Sequence, residues 1–318
     1  MQRANASTVT DFVLVGFSAF PRLQLPLFLL FLLMYLFTLL GNLLIMGTVW
    51  AERALHTPMY LFLCALSISE ILYTFAIVPR MLADLLAARA ALPTISRAAC
   101  ASQTLFSFAF GFTHSFLLTV MGYDRGVAIC RPLHYHVLMS ARGCGGLVGG
   151  SWVGGTAMGT VVTAAVFGLD FCGPREIHHF ACHVPPLLKL ACGPRVRAVA
   201  LGVAGLCISA LLGCFLLIVL SYAFILATIL SIPSADGRRK AFSTCASHLT
   251  VVVVHYGFAS VIYLKPKGPQ SLEGDTLMGF TYTVLTPFLS PIIFSLRNKE
   301  LKLAIQRTVR SKLAPPRS

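Results

Sequence analysis

The chain has 318 residues, of which 57% are hydrophobic and only 11% charged, with a mean hydropathy of +0.80 and a formal net charge of +14. A composition this apolar excludes a water-soluble domain of that length. It also excludes nucleic acid as the partner of the basic excess, because no soluble basic face is available to meet it.

Against a bilayer, each helical crossing needs about 20 apolar residues. Runs of that kind recur at residues 25–49, 58–86, 100–128, 147–169, 196–230, 241–264 and 277–296. The expected fold is therefore an all-α membrane protein, a seven-helix bundle over 25–296, multi-pass in the plasma membrane. Residues 1–24 form an outer segment without a short cleavable signal, and the first apolar run is long enough to be an uncleaved crossing. Asn5-Ala6-Ser7 is a glycosylation sequon, so Asn5 is a candidate site on the outer face. Lys and Arg are moderately biased toward the segments that become cytoplasmic with the N-terminus outside. Residues 297–318 then read as a cytoplasmic amphipathic helix and basic tail facing anionic inner-leaflet lipid.

Along the second crossing Glu70 lies twelve residues in from Pro58, and Pro79 offers a bend. The third crossing carries a stripe. Stepping back from Arg125 at helical spacing gives Leu118, His114, Gly111, Ser107 and Cys100, all on nearly one face. Ser107 and Gly111 are small, and with Phe108 and Phe112 they leave room for a ligand in the outer half of the bundle; close helix packing is the alternative. Cys207, Phe258, Ala259, Tyr263 and Phe280 occur at comparable depth on other crossings and complete an apolar, aromatic candidate cavity. Deeper, His114 sits roughly 16 Å above Arg125 at a rise of about 1.5 Å per residue. With Glu70, Asn42 and Ser290 it forms a candidate polar hub, since ionisable groups at that depth are expensive and usually functional. A hydrogen bond from His114 to Glu70 is expected; a purely structural pair and a sodium ion at Glu70 are the alternatives.

Gly146, Gly150 and Gly154 recur every four residues on the fourth crossing and suggest a close helix contact within the bundle. Cys172, Cys182 and Cys192 then fall in one outer loop at the level of Cys100, in an oxidising setting. Of the three possible pairings, Cys100–Cys182 with Cys172–Cys192 is favoured, and Cys100–Cys192 is its main rival. Six further cysteines, Cys64, Cys130, Cys144, Cys207, Cys214 and Cys245, lie in or near apolar runs and read as small buried hydrophobes. The loop also reads EIHHFACHV, but a disulfide at Cys182 removes its thiolate, so no metal and no cofactor is assigned. No internal repeat supports a transporter, and no HExxH or GxSxG pattern supports an enzyme.

At the inner end, MGYDRGVAIC from Met121 places Asp124 beside Arg125. Adjacent helical residues do not face each other squarely, so the basic cluster Arg238, Arg239 and Lys240 at the foot of the sixth crossing is the expected further partner of Asp124. Together with GN at Gly41 and Asn42, LHTPMYLFL from Leu55, SY at Ser221 and Tyr222, KAFSTCASHL from Lys240 and SLRNKELK from Ser295, this ordered set resembles the odorant receptors. These are a branch of the rhodopsin-like G-protein-coupled receptors. SEILYTFAIVPRMLADLL from Ser69 is similar to the tetrapod-type family 10 in particular. The resemblance implies a small-molecule odorant as ligand and a heterotrimeric, stimulatory G protein raising cyclic AMP as partner. It assigns coupling roles to Asp124, Arg125 and Tyr222. The chain departs from the family at Gly126, where tyrosine is usual, at Ser290 and Phe294, where asparagine and tyrosine are common, at His114, where many relatives have a carboxylate, and at Arg131, commonly neutral or histidine.

Overall fold

The computed structural model describes residues 10–17, 21–87, 92–172, 174–264 and 281–313. Long helices run over Gln24–Ala51, Pro58–Ala87, Arg97–Cys130, Ala141–Phe167, Val196–Leu230 and Ala235–Leu264. A π-helical turn at Thr281–Leu285 leads into Thr286–Arg297, the described part of the seventh crossing, and Asn298 separates that helix from Lys299–Leu313. The first, second, third and fifth helices are each long and apolar enough to span a bilayer by composition alone. The fourth and sixth are of spanning length but are diluted by glycine and by a polar foot. Abundant leucines on the first and fifth helices face outward, as lipid-facing walls do in a bundle whose interior is polar in places.

Helix ends follow local capping more than hydropathy. Ser96 and Ser140 turn their hydroxyls onto the amides of Ala99 and Gly143, starting the third and fourth helices three and six residues earlier than the apolar runs at 100 and 147. The third helix is the hub of the packing and touches the second, fourth, fifth and sixth. Its contact with the fourth is the closest. A Cβ added to Gly155 would lie 2.1 Å from Thr113 Oγ1 and 2.5 Å from Ala109 O, and one added to Gly159 would lie 2.6 Å from Leu105 O. The stripe expected at Gly146, Gly150 and Gly154 is thus corrected by one helical position. Gly146 and Gly150 face open space, and Gly154 meets only the Phe116 ring. Gly41 of the GN pair is used similarly, with Pro291 of the seventh helix packed against its backbone.

The outer face has a small sheet that hydropathy does not reveal. Strand Asp11–Leu14 pairs antiparallel with Thr94–Ser96 and parallel with Glu176–Ile177. Phe12 and Leu14, at alternate positions, are almost wholly buried, so the N-terminal segment is part of the outer core. Disulfides join Cys100 to Cys182 and Cys172 to Cys192, the favoured pairing. Inside this lid His179 is 4% exposed, its Nδ1 facing the backbone of Ala181, its ring stacked between Phe180 and His183. Burial, and then the neighbouring His183, bring its pKa down to about 3, although the Ala181 backbone contact opposes this. An unfolded histidine titrates near 6.5, so only the opened loop takes up a proton between these values. Lid stability is therefore complete above pH 6.5 and falls with acidification, by about 2 kcal/mol at pH 5. Hydrogen exchange of residues 176–184 should accelerate between pH 7 and pH 5, beyond the intrinsic rate change, and His179→Gln should flatten that dependence.

Candidate functional site

At the inner end of the third helix Asp124 has no exposed surface. A carboxylate there must be fully paired, and both its oxygens are. Arg125 Nε donates to Oδ2 at 2.9 Å, with a second guanidinium nitrogen on the same oxygen. The Tyr135 hydroxyl donates to Oδ1 at 2.8 Å. Tyr135 sits on a single helical turn, Tyr135–Leu138, in the loop that follows. Burial and then the adjacent carboxylate hold its phenol above the ordinary range, so it remains a donor. The expected partner at the foot of the sixth helix is corrected accordingly. Arg238 instead donates to the carbonyls of Ile232 and Pro233, and Arg239 and Lys240 are exposed. The long, flexible arginine side chain bends back to its helical neighbour, which the angular spacing of Cβ atoms does not anticipate.

Nearly two turns outward, His248 of the KAFSTCASHL segment is completely buried. Its Nε2 lies 2.9 Å from the Leu118 carbonyl and its Nδ1 2.8 Å from the Tyr222 hydroxyl. A carbonyl can only accept, so Nε2 carries the proton and Nδ1 accepts from Tyr222. This one imidazole ties the third, fifth and sixth helices together. Tyr222 was singled out from the sequence; His248 was not, although a histidine in a membrane crossing is itself a signal.

The hub lies farther out. Asn42, Glu70, His114 and Ser290 are all buried. His114 Nδ1 is 3.7 Å from Glu70 Oε1, too far for the hydrogen bond expected between them. Asn42 and Ser290 lie within electrostatic reach of the carboxyl. Asn42 donates one amide N–H to Thr38 O, and among the described residues neither Glu70 oxygen has a well-formed hydrogen bond. His255 joins this hub unannounced by the sequence reading, its ring 4.7 Å from that of His114 and its Nε2 3.0 Å from Ser115 Oγ.

Residues 31–312 match the family model described as olfactory receptor. The chain is 78% identical to olfactory receptor 10H1 of Homo sapiens over 318 residues, spanning 100% of this chain and 99% of that protein. It is 64% identical to olfactory receptor 10H28 of Mus musculus over 306 residues, 96% of each. The chain belongs to the olfactory receptor family.

It is accordingly a receptor and not an enzyme, a multi-pass plasma membrane protein of the family 10 branch. In this olfactory receptor the outer half of the third helix separates the candidate ligand residues into two groups. Ser107, Phe108 and Gly111 remain partly exposed, and a Cβ on Gly111 would meet only Tyr73 at 3.7 Å. Phe112 and Cys207 are packed into the outer apolar core with Cys100, Val162 and Val203. Phe258, Ala259 and Tyr263 lie on the helix Ala235–Leu264 at positions whose side chains are outside the described residues, as Asn5 and Phe280 are entirely. The disulfide loop is fastened to the same helix wall: Gln103 accepts from the Cys182 amide at 2.9 Å and donates to Ala76 O at 3.2 Å.

Proposed function

We propose that a small, largely apolar odorant occupies the outer half of the bundle against Ser107, Phe108 and Gly111, and shifts the receptor toward a state that activates a stimulatory G protein and raises cyclic AMP. The observation that carries this reading is the third helix itself. One wall bears the outer small residues, the Ser115 contact to His255, the Leu118 contact to His248 and the Asp124–Arg125 foot. The sixth helix is thus fastened to the third at two levels between the ligand residues and the arginine. A displacement of the sixth helix must break both fastenings, and a ligand drives it only as far as it prefers the displaced arrangement.

The Tyr135 bond to Asp124 belongs to the closed arrangement. A hydrogen bond to a charged group contributes about 1.5 kcal/mol, which changes the ratio of two states roughly tenfold if only one of them holds it. Tyr135→Phe should therefore raise ligand-independent cyclic AMP several-fold in transfected cells at matched surface expression. An odorant panel on the same cells should find agonists acting through cyclic AMP. Surface-expressed receptor whose cyclic AMP responds neither to the panel nor to this substitution would refute the coupling.

A further inference from the structure

The polar groups on the outer wall of the third helix differ in what they leave for a ligand. Gln103 is engaged at both ends of its amide, accepting from the Cys182 amide and donating to Ala76 O. Thr104, completely buried, donates its proton to the Cys100 carbonyl at 2.9 Å. Ser107, a helical turn farther in, donates its own to the Thr104 carbonyl at 3.1 Å. A hydroxyl has one proton and two lone pairs, so Ser107 Oγ remains as an acceptor, and none of the described residues donates to it. Unlike Gln103 and Thr104, Ser107 is partly exposed. Gly111 follows on the same face about 6 Å farther inward. It has no side chain, and a Cβ there would meet only the Tyr73 ring, at 3.7 Å.

We propose that the odorant selected here is a hydrogen-bond donor, a small aliphatic alcohol whose hydroxyl donates to Ser107 Oγ while its hydrocarbon tail runs inward over Gly111. The inference rests on the placement of the odorant against Ser107, Phe108 and Gly111, and adds to it a chemical class and a direction. An alcohol gains a bond at this wall and breaks none. In apolar surroundings that matters, because a hydroxyl stripped of water without an acceptor is costly. A ketone or an ether has only lone pairs to present, and it meets lone pairs. To bond it, Ser107 must withdraw its proton from Thr104 O, so one hydrogen bond is exchanged for another with little net gain. A protonated amine is also a donor, but it would bring a full charge against a neutral hydroxyl, at a far larger desolvation cost.

The test uses full-length receptor in lipid nanodiscs, with empty nanodiscs subtracted, and three probes of equal heavy-atom count: n-hexanol, methyl n-butyl ketone and methyl n-pentyl ether. Titrations read by saturation-transfer NMR give their dissociation constants. n-Hexanol should bind roughly three- to tenfold more tightly than the other two, the net effect of one hydrogen bond. Ser107→Ala should erase that advantage by weakening n-hexanol alone, and alanine, a better helix former than serine, keeps the fold. Ser107→Cys retains a side chain of similar shape with a weak sulfur acceptor, and should weaken n-hexanol in the same direction. Gly111→Trp should displace all three probes. If it does, but n-hexanol shows no preference or keeps its preference in Ser107→Ala, the odorant placement stands and the alcohol inference is overturned. If Gly111→Trp leaves all three bound, the placement fails and the inference falls with it. Absence of saturable n-hexanol binding to the unaltered receptor overturns the inference as well. Because the readout is binding, none of these outcomes depends on coupling to cyclic AMP.

Discussion

Gly155→Ala should remove most of the receptor from the cell surface. In an exposed helix the same change is favourable by about 1 kcal/mol, because alanine loses less backbone freedom than glycine. Here the new methyl carbon would lie 2.1 Å from Thr113 Oγ1, 2.5 Å from Ala109 O and 2.8 Å from Thr113 N. Two of these three atoms are backbone, so no rotamer relieves the overlap, and the third and fourth helices must move apart. Overpacking of this kind costs typically 1–3 kcal/mol and occasionally more, to which separation adds lost contacts along the whole seam. Thr113 also spans that seam, bonding Ala109 O and reaching Ser151 O. Gly145→Ala and Gly149→Ala, on the same helix with nothing within 4 Å, are the controls. They should leave surface expression unchanged or raise it. Flow cytometry of tagged receptor on intact cells measures all three, and equal expression of Gly155→Ala and the controls would show that the helices can yield.

The contrast between these glycines also marks where sequence reading ends. A four-residue period identifies positions that share a face, so Gly146 and Gly150 were correctly grouped. It does not say which face turns inward, and one residue is a rotation of about 100°. The inward stripe proved to be Gly155 and Gly159. Crossings were legible because a bilayer imposes length and apolarity on every segment. The outer cysteines were legible because they are few and lie at one level. The strand Asp11–Leu14 was not, because its hydrogen-bonding partners lie about eighty and one hundred and sixty residues away and four residues carry too little periodicity to stand out. The Glu70–His114 neighbourhood followed from depth alone, but His255 and His248 required knowing the rotation of the sixth helix relative to the third. Tyr135 required the fold of a loop.

Gly111→Trp should silence every odorant response while leaving surface expression near that of the unaltered receptor. The first added carbon would meet nothing closer than Tyr73 Cε2, at 3.7 Å, an ordinary van der Waals contact. The helix therefore tolerates a side chain here, in contrast to Gly155. The indole beyond that carbon would fill space next to Ser107 and Phe108, which are only partly buried although they lie on an interior helix. A ligand bound in that space would be displaced without touching the Leu118–His248 or Asp124–Tyr135 fastenings, each more than one helical turn farther inward. Basal cyclic AMP should therefore persist, and Tyr135→Phe should still raise it in the Gly111→Trp background. That double variant separates the two ends of the helix. If the tryptophan receptor reaches the surface and answers odorants with unchanged dose dependence, the ligand lies elsewhere. If Tyr135→Phe no longer raises its basal signal, the two ends are not independent, and the indole must be locking the sixth helix rather than excluding a ligand.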